Sequence, residues 1–398
     1  MTATPVATVG RIPSLDGLRA VSITAVVLGH LGGTQGFPAA LTAIISNDYV
    51  DLAGIGVRVF FVISGFLITR LLVQEVERHG RVSLRRFYLR RVMRIFPAYY
   101  AFIAGLCALA AAGLVQLTGS DLLHALTYTV NYDGGRSWSV GHLWSLAVEE
   151  QFYLLWPVAL VAVGVRRAPA VALAVLVLVP VIRTVEYLFL RNDVIGNSFQ
   201  TTADALAVGC LFALGEHTLL RRPQVTAIVD RGWVIVGMLI AGVGLSVLSI
   251  TAMAAGLSLT QFAIGFGVLH LVRHPRSPFG RLLNWRPIAF VGVLSYSIYL
   301  WQQVFLNRSS SAEFNAFPLN IVLALSVAVA SYFLVERPVL RLRPAVEARL
   351  FGTQPAHPTA GAPGSGPSSA GVPPVAAGEA GEELARSELR QPEGGGPA

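Results

Sequence analysis

Ten apolar runs divide this chain, and each is long enough to cross the roughly 30 Å hydrocarbon core of a bilayer. Of the 398 residues, 54% are hydrophobic and 13% are charged, whereas soluble domains carry about 25% charged residues. This pattern predicts an all-α, polytopic membrane helix bundle of about ten transmembrane helices, spanning residues 12–345. The runs begin near Gly17, Leu52, Pro97, Leu143, Pro169, Thr201, Trp233, Ala252, Pro287 and Phe317.

The connections between the runs predict how the chain is oriented. All 30 basic residues are arginines; sixteen of them lie in alternate connections, and the intervening connections hold three. Because cytoplasmic loops carry an excess of basic residues, both termini are predicted to be cytoplasmic in a multi-pass protein of the plasma membrane. The net charge of +8 then reflects topology and contact with anionic lipids, and it does not indicate a nucleic-acid partner.

The two ends of the chain differ from the apolar middle. Residues 1–11 are predicted to form an N-terminal cytoplasmic segment. Residues 1–10 lack the basic start of a secretory signal, so the first span is expected to be retained. Residues 346–398 are rich in Pro, Gly and Ala, which predicts a disordered cytoplasmic tail. We expect no appended catalytic domain, so any chemistry should take place inside the bundle.

Two ionisable residues mark the first apolar run. Arg19 and His30 are eleven residues apart, close to three helical turns, so they share one helix face and lie about 16 Å apart along its axis. Ionisable groups inside a membrane span are costly, and they are functional candidates by default. The alternative for His30 is a structural hydrogen bond to a neighbouring helix.

A basic, aromatic-rich segment at residues 78–97 leads into the third run, whose start is predicted at Pro97. Arg91 and Arg94 stand at i and i+3 within it, so on a helix both guanidinium groups can converge on one anion. The segment fits either a topological anchor on acidic lipids or a cytoplasmic site for the phosphates of a nucleotide-bearing cosubstrate. It contains no Gly-rich phosphate cradle.

A polar stripe opens the fourth run, where four residues recur at helical spacing. The stripe consists of His142, Ser145, Glu149 and Tyr153. Carboxylates inside a span are expensive unless they are paired or protonated. Glu149 could therefore orient a catalytic histidine or neutralise an arginine such as Arg19 or Arg58. For the adjacent Glu150, which points some 100° away, a structural ion pair is favoured.

Other features of the apolar runs have simpler interpretations. Arg183 and Glu186 are three residues apart and predict a local ion pair, whereas Asp204 needs a partner from another helix. Ser64 and Gly65 predict close helix packing, and the run SYSIYLW is expected to serve packing or interface anchoring. The sequence contains no metal triad, nucleophile elbow or Walker loop, and its two cysteines show neither disulfide nor metal spacing.

Six short motifs follow one another along residues 12–342. They are SLDGLRA with Arg19 eleven residues before His30, FFVISGFLI (60–68), RRVMRIFPAYY (90–100), WSLAVEEQFYLLWP (144–157), SYSIYLW (295–301) and VERP (335–338). In these motifs the chain resembles the integral-membrane acyltransferase-3 family, whose members move acyl groups from acyl-CoA to hydroxyls of sugars, glycolipids, peptidoglycan or natural products. The resemblance implies a membrane-bound O-acyltransferase domain.

The resemblance also implies roles for individual residues. His30 would be the catalytic residue, Arg19 would be essential on the same helix, and Glu149 and Glu150 would match the family's paired acids. The implied acyl-CoA-binding residues are Arg90, Arg91 and Arg94. The implied supporting residues are Asp16, Asp204, His142 and Ser145.

Two positions depart from the pattern of the family. Gln302 stands where many members carry a histidine, so this position cannot serve as a base. Thr202 stands where members often carry an arginine, which leaves the partner of Asp204 open.

The implied chemistry moves an acetyl or short-chain acyl group and uses acyl-CoA, expected to be acetyl-CoA, as cosubstrate, with no bound cofactor and no metal. His30 would act as general base on the acceptor hydroxyl, and a transient acyl-histidine is the competing mechanism. The acceptor would be a carbohydrate-containing molecule of the cell envelope, such as a glycan or glycolipid, or alternatively a macrolide-type secondary metabolite. A lipid or glycolipid transporter is the third possibility, which the lack of an internal repeat disfavours.

Overall fold

The computed structural model describes residues 12–45, 51–190, 196–248 and 250–352. Within these ranges the chain is helical and contains no β-strand, which confirms the predicted all-α class. The helices are α1 (Pro13–Leu31), α2 (Ala39–Ile45), α3 (Leu52–His79), α4 (Leu84–Ala111), α5 (Gly119–Leu126), α6 (Trp138–Gly141), α7 (Leu143–Val163), α8 (Ala168–Val185), α9 (Phe199–Leu219), α10 (Pro223–Asp230), α11 (Gly232–Ser246), α12 (Ile250–Arg273), α13 (Pro278–Leu283), α14 (Arg286–Phe305), α15 (Leu319–Ser331) and α16 (Arg337–Phe351). The predicted N-terminal segment 1–11 lies outside the described residues.

Each of the ten apolar runs coincides with a helix in the described part of the chain. Within the described residues, eight helical segments are long and apolar enough to cross a membrane. The helix α9 joins them when it is counted together with α10, from which it is bent by 114°. The helix α11 has 15 residues, or about 22 Å, and is shorter than the hydrocarbon core. The predicted multi-pass bundle is thus confirmed, with eight or nine spans of full length.

The third membrane helix begins at Leu84, well before the predicted start at Pro97. Ser83 caps it, because its hydroxyl accepts a hydrogen bond from the backbone N–H of Arg86 at 3.5 Å. Pro97 lies inside this continuous helix of 28 residues, as membrane helices tolerate when neighbouring groups satisfy the backbone. Most of the basic segment, residues 84–97, is therefore the first half of α4, whereas residues 78–79 end α3 and residues 80–83 connect the two helices.

Close packing of small residues brings the central helices together. The helix α1 packs against both α3 and α14, and α3 packs along α9. A Cβ atom at Gly65 would collide with the backbone oxygen of Leu206, and one at Gly209 would collide with the backbone oxygen of Val62. The close approach predicted from Ser64 and Gly65 is confirmed as the α3–α9 contact.

Contacts at the helix ends define two sides of the bundle. At the start of α1, Ser14 donates a hydrogen bond to Asn284 Oδ1 at 2.9 Å, within an Arg-rich connection; we call this the Arg-rich side. At the opposite side, the segment after α1 meets the segment before α15, where the N–H of Phe317 donates to the carbonyl of Gln35 at 2.8 Å. The helix α1 therefore runs from the Arg-rich side to the opposite side.

The last helix extends into the segment predicted as a disordered tail. The helix α16 ends at Phe351, so residues 346–351 of the predicted tail 346–398 are helical. Two ion pairs stabilise this end: Glu347 pairs with Arg343 at 3.1 Å on its own helix and with Arg90 of α4 at 2.9 Å. Gly352 follows the helix, and the rest of the predicted tail, residues 353–398, lies outside the described residues.

Candidate active site

Two adjoining cavities lie among the membrane helices. The large cavity, of about 740 Å³, has Ile12 and Leu340 in its wall, and the small cavity has a volume of about 90 Å³. Five residues line both cavities and come from α1, α3, α4 and α7, so the folded bundle is needed to assemble them. These shared residues are Arg19, Ser64, Arg91, Arg94 and Tyr153.

Arg91 and Arg94 face the same space, as their spacing on one helix predicts. The guanidinium of Arg91 lies over the rings of Phe87, at 5.5 Å, and Tyr153, at 5.2 Å. Neither arginine forms a hydrogen bond or ion pair with a carboxylate within the described residues. Two guanidinium groups with unused donors that face one cavity make a site suited to an anion such as phosphate.

The other two predicted arginines differ in position. Arg19 lines both cavities, and its Nη1 lies 3.4 Å from Oδ1 of Asp16, one turn earlier on α1. Arg90 lines neither cavity, because its guanidinium pairs with Glu347 on α16. The structure brings Arg19 together with the Arg91–Arg94 pair and leaves Arg90 at the helix surface.

The paired acids line the small cavity without direct arginine partners. Glu149 Oε1 accepts a hydrogen bond from the hydroxyl of Ser64 at 2.8 Å, and the hydroxyl of Tyr153 donates to Ser64 Oγ at 3.1 Å. Glu150 forms no direct hydrogen bond or ion pair in the described part of the chain. The ion pair favoured for Glu150 is therefore absent there, because the nearby guanidinium of Arg91 is stacked on aromatic rings.

A hydrogen-bonded group lies in the wall of the small cavity, at the end of the predicted polar stripe. The hydroxyls of Ser145 and Tyr299 are 2.6 Å apart, and Tyr299 also donates to the carbonyl of His142 at 2.9 Å. The buried His142 ring has Nε2 at 3.0 Å from the carbonyl of Leu300, and its Nδ1 has no partner among the described residues. His142 thus lies behind Tyr299 and lines neither cavity.

His30 lies one layer further along the bundle. It is the penultimate residue of α1, half-buried, with Nδ1 at 2.9 Å from Oε1 of Gln302 and its ring at 5.9 Å from the ring of Trp138. It lines neither cavity. Tyr299 and Gln302 are three residues apart on α14, or about 4.5 Å along the helix axis. His30 is therefore separated from the small cavity by about one helical turn.

Asp204 is a structural residue away from both cavities. Its Oδ2 lies 2.7 Å from Nη2 of Arg183, and both side chains are buried. Nε of Arg183 also donates to the carbonyl of Thr201 at 2.9 Å. Arg183 is therefore the partner of Asp204, which the sequence left open because Thr202 stands at the position of the expected arginine. Glu186, the predicted partner of Arg183, accepts a hydrogen bond from Gln200 at 3.2 Å.

Several cavity residues were missed by sequence reasoning. The run SYSIYLW was expected to serve packing, but Tyr296 and Tyr299 line the small cavity. Between them, Ser297 donates to Glu336 of the VERP motif at 3.1 Å, and Glu336 lines the large cavity. The available signal was the i, i+3 spacing of the two tyrosines, which places both on one face of α14.

The site can bind an anion at the Arg-rich end and hold an imidazole towards the opposite end. Among the described residues, no group of three or more His, Cys, Asp or Glu side chains is placed to hold a metal ion. The arginine, carboxylate, hydroxyl and imidazole groups of the site are capable of proton transfer, nucleophilic attack and electrostatic stabilisation.

The bundle and its cavities define a multi-pass membrane protein with an internal polar site. A family model described as an acyltransferase domain matches residues 12–337, and the chain therefore belongs to this acyltransferase-3 family.

Two curated relatives extend the comparison. The O-acetyltransferase OatA of Staphylococcus aureus is 26% identical over 358 residues, which cover 82% of this chain and 57% of the relative. The peptidoglycan O-acetyltransferase OatA of Listeria monocytogenes is 26% identical over 370 residues, which cover 82% of this chain and 56% of the relative. The chain thus spans little more than half the length of these relatives. The search of solved structures gave no significant match.

Proposed function

We propose that the protein is a membrane O-acyltransferase that moves an acyl group, expected to be acetyl, from acyl-CoA to a hydroxyl of a carbohydrate-containing acceptor. The observation that carries this proposal is the pair Arg91 and Arg94, which face an internal cavity without a carboxylate partner in the described residues. The names of the two relatives, both O-acetyltransferases and one acting on peptidoglycan, support the acetyl group and the sugar acceptor.

In this proposal the large cavity holds the nucleotide end of the donor. Acyl-CoA carries its negative charge on phosphates, which Arg91 and Arg94 can bind through several N–H donors at once. The excess of arginines in alternate connections supports a cytoplasmic position for this side and for both termini, in the plasma membrane. Arg90 contributes less, because Glu347 already neutralises it.

The paired acids would balance the positive charge of the small cavity. Arg19, Arg91 and Arg94 bring three cations into a low-dielectric space, where unbalanced charge is costly. Glu149 and Glu150 supply the opposite charge near them. In the proposed enzyme they offset the charge of the arginines through space, without a direct ion pair among the described residues, while the thioester arm passes.

His30 is the proposed general base. When Nδ1–H donates to Gln302 Oε1, the Nε2 atom keeps its lone pair and can accept the proton of the acceptor hydroxyl. The hydroxyl oxygen then forms a bond to the thioester carbon, the carbon–sulfur bond breaks, and the CoA thiolate takes up the proton held by the imidazolium. In the competing mechanism, Nε2 itself attacks the thioester and forms a transient acyl-histidine.

The thioester must pass Tyr299 to reach the His30 ring. Ser145 and Tyr299, whose hydroxyls are hydrogen-bonded to each other, line the small cavity. Gln302, which holds His30, lies one turn beyond Tyr299 on α14. In this proposal the Tyr299 side chain therefore moves aside when the donor binds.

Replacing His30 tests the proposal. We expect His30→Ala to abolish acetyl transfer from acetyl-CoA while it leaves CoA binding intact, because the ring lies outside the proposed phosphate site. His79→Ala, at the exposed end of α3, serves as the matched control and should behave as wild type. Turnover is measured with the purified protein in detergent and a soluble glycan acceptor, and binding is measured by titration calorimetry. Near-normal transfer by His30→Ala would refute the role of His30.

A labelling experiment separates the two mechanisms. The protein is incubated with radiolabelled acetyl-CoA in the absence of acceptor, and the peptide containing His30 is examined by mass spectrometry. A label on His30 that is released on adding acceptor supports the acyl-histidine mechanism. An unlabelled protein that retains full transfer activity supports the general-base mechanism.

A further inference from the structure

The wall of the large cavity carries one more cation, Arg70, which has no role in the proposed reaction. The helix α3 presents Arg70 and Gln74, one turn apart, to the large cavity. Neither residue lines the small cavity. Arg70 is a quarter exposed, and its guanidinium lies 5.9 Å from the ring of Phe66.

Arg70 is incompletely satisfied by protein groups. Its Nε lies 3.6 Å from Oε2 of Glu216 on α9, which is too long for a good hydrogen bond. Its Nη1 is buried and has no hydrogen-bond partner within the described residues. A buried donor without an acceptor costs free energy, so an arginine in this state is poised to bind an anion.

The charge of the large cavity wall supports the same conclusion. Its cations are Arg19, Arg70, Arg91 and Arg94, and its carboxylates are Asp16 and Glu336. The wall thus holds four guanidinium groups against two carboxylates, which favours an anionic ligand. Because these arginines come from α1, α3 and α4, a donor with phosphate groups at two places along its length offers acceptors to more than one of them.

The positions of the arginines suggest which phosphate each would bind. Arg91 and Arg94 line both cavities, so they lie on the route to the thioester, where the pyrophosphate adjoins the pantetheine arm. Arg70 and Gln74 line the large cavity alone, further from that route. The 3′-phosphate of the ribose is the charged group of CoA that is most distant from the thioester.

We propose that Arg70, assisted by Gln74, binds the 3′-phosphate of the acyl-CoA nucleotide and thereby selects the 3′-phosphorylated donor. This inference rests on the proposed function, because it assumes that acyl-CoA is the donor. It assigns Arg70 a role in substrate binding and not in the chemical step.

The test compares two donors that differ in this phosphate. Purified full-length protein in detergent is assayed with acetyl-CoA and with acetyl-3′-dephospho-CoA. The wild type should show a KM about tenfold lower for acetyl-CoA, since a charge-assisted hydrogen bond is worth roughly tenfold or more in affinity. Arg70→Gln should raise the KM for acetyl-CoA by about the same factor, leave kcat nearly unchanged and leave the KM for the dephospho donor unchanged.

Matched variants make the result interpretable. Arg78→Gln, at an exposed position two turns further along α3, should behave as wild type, and Arg70→Lys should recover part of the preference. Gln74→Met should reduce the preference for acetyl-CoA over the dephospho donor to a smaller extent. It provides a second measurement in the event that Arg70→Gln folds poorly.

Two outcomes would overturn the inference. In the first, Arg70→Gln lowers turnover equally with both donors, as expected for a residue that merely holds α3 against Glu216. In the second, the wild type does not distinguish the donors. Failure of the proposed function looks different, because wild-type protein would then neither bind nor turn over either donor, and the inference would fall with it.

Discussion

At the scale of single residues, the contact between Gln302 and His30 is the most informative in the molecule. An amide cannot exchange a proton with imidazole, but its carbonyl can accept the Nδ1–H and hold the ring in one orientation and tautomer. The departure from a histidine at position 302 therefore replaces a second titratable ring by a fixed hydrogen-bond partner. The sequence shows that position 302 is a glutamine, and the 2.9 Å contact between His30 Nδ1 and Gln302 Oε1 shows that this glutamine orients the His30 ring.

Removing the acceptor at position 302 should slow acyl transfer. We expect Gln302→Met, which keeps the length of the side chain, to lower kcat by about tenfold, the value of one hydrogen bond of about 1.4 kcal/mol. The KM for acetyl-CoA should change little, because Gln302 lines neither cavity. Gln302→Glu, which restores an acceptor oxygen, should recover part of the rate. Equal rates for wild type and Gln302→Met in steady-state assays would contradict this positioning role.

At the scale of helices, a buried ion pair joins α8 to α9. Arg183 and Asp204 are 4% and 0% exposed, and the guanidinium also donates to the carbonyl of Thr201. A buried pair contributes little net stability, but removing one partner leaves an uncompensated charge. The pair therefore fixes how α9 packs, and α9 in turn supports α3, which carries Ser64 and Arg70 of the cavity walls.

Breaking this pair should destabilise the protein far more than breaking an exposed one. We expect Arg183→Ala to lower the free energy of unfolding by about 3–5 kcal/mol. The double variant Arg183→Met with Asp204→Leu should recover most of the loss. As a matched control, Arg273→Ala removes the exposed pair with Asp230 and should cost about 1 kcal/mol or less. Equilibrium unfolding in detergent gives the free energy of unfolding of all three variants. Similar losses for Arg183→Ala and Arg273→Ala would contradict the structural role of the buried pair.

At the scale of the whole molecule, the Arg91–Arg94 pair and His30 lie towards different sides of the bundle. The large cavity includes the start of α1 and Leu340 of α16, whereas His30 lies in the last turn of α1. The Arg91–Arg94 pair and the proposed base are thus separated along the bundle. Such an arrangement suits a donor that enters from one side of the membrane and reacts towards the other.

Cysteine labelling should establish this orientation. In a variant with Cys107 and Cys210 replaced by alanine, Ser309→Cys should react with a cell-impermeant maleimide in intact cells, because the excess of arginine lies in the other set of connections. Arg276→Cys should react after the membrane is permeabilised. Both positions are exposed in the structure, so accessibility alone does not separate them. Labelling of Arg276→Cys in intact cells would reverse the predicted topology.

The sequence by itself determined that this is a membrane protein, the approximate number of its helices, the position of Arg91 and Arg94 on one helix face, and the close packing at Gly65. These properties depend on local periodicity and on the cost of exposing polar groups to lipid, both of which can be read from neighbouring residues. Only the tertiary structure decided that Arg183 pairs with Asp204, that Arg90 is neutralised by Glu347, that tyrosines of α14 line the small cavity, and that Gln302 holds His30. Each of these contacts joins different helices, and which helices meet is set by packing over the whole bundle and not by spacing along the chain.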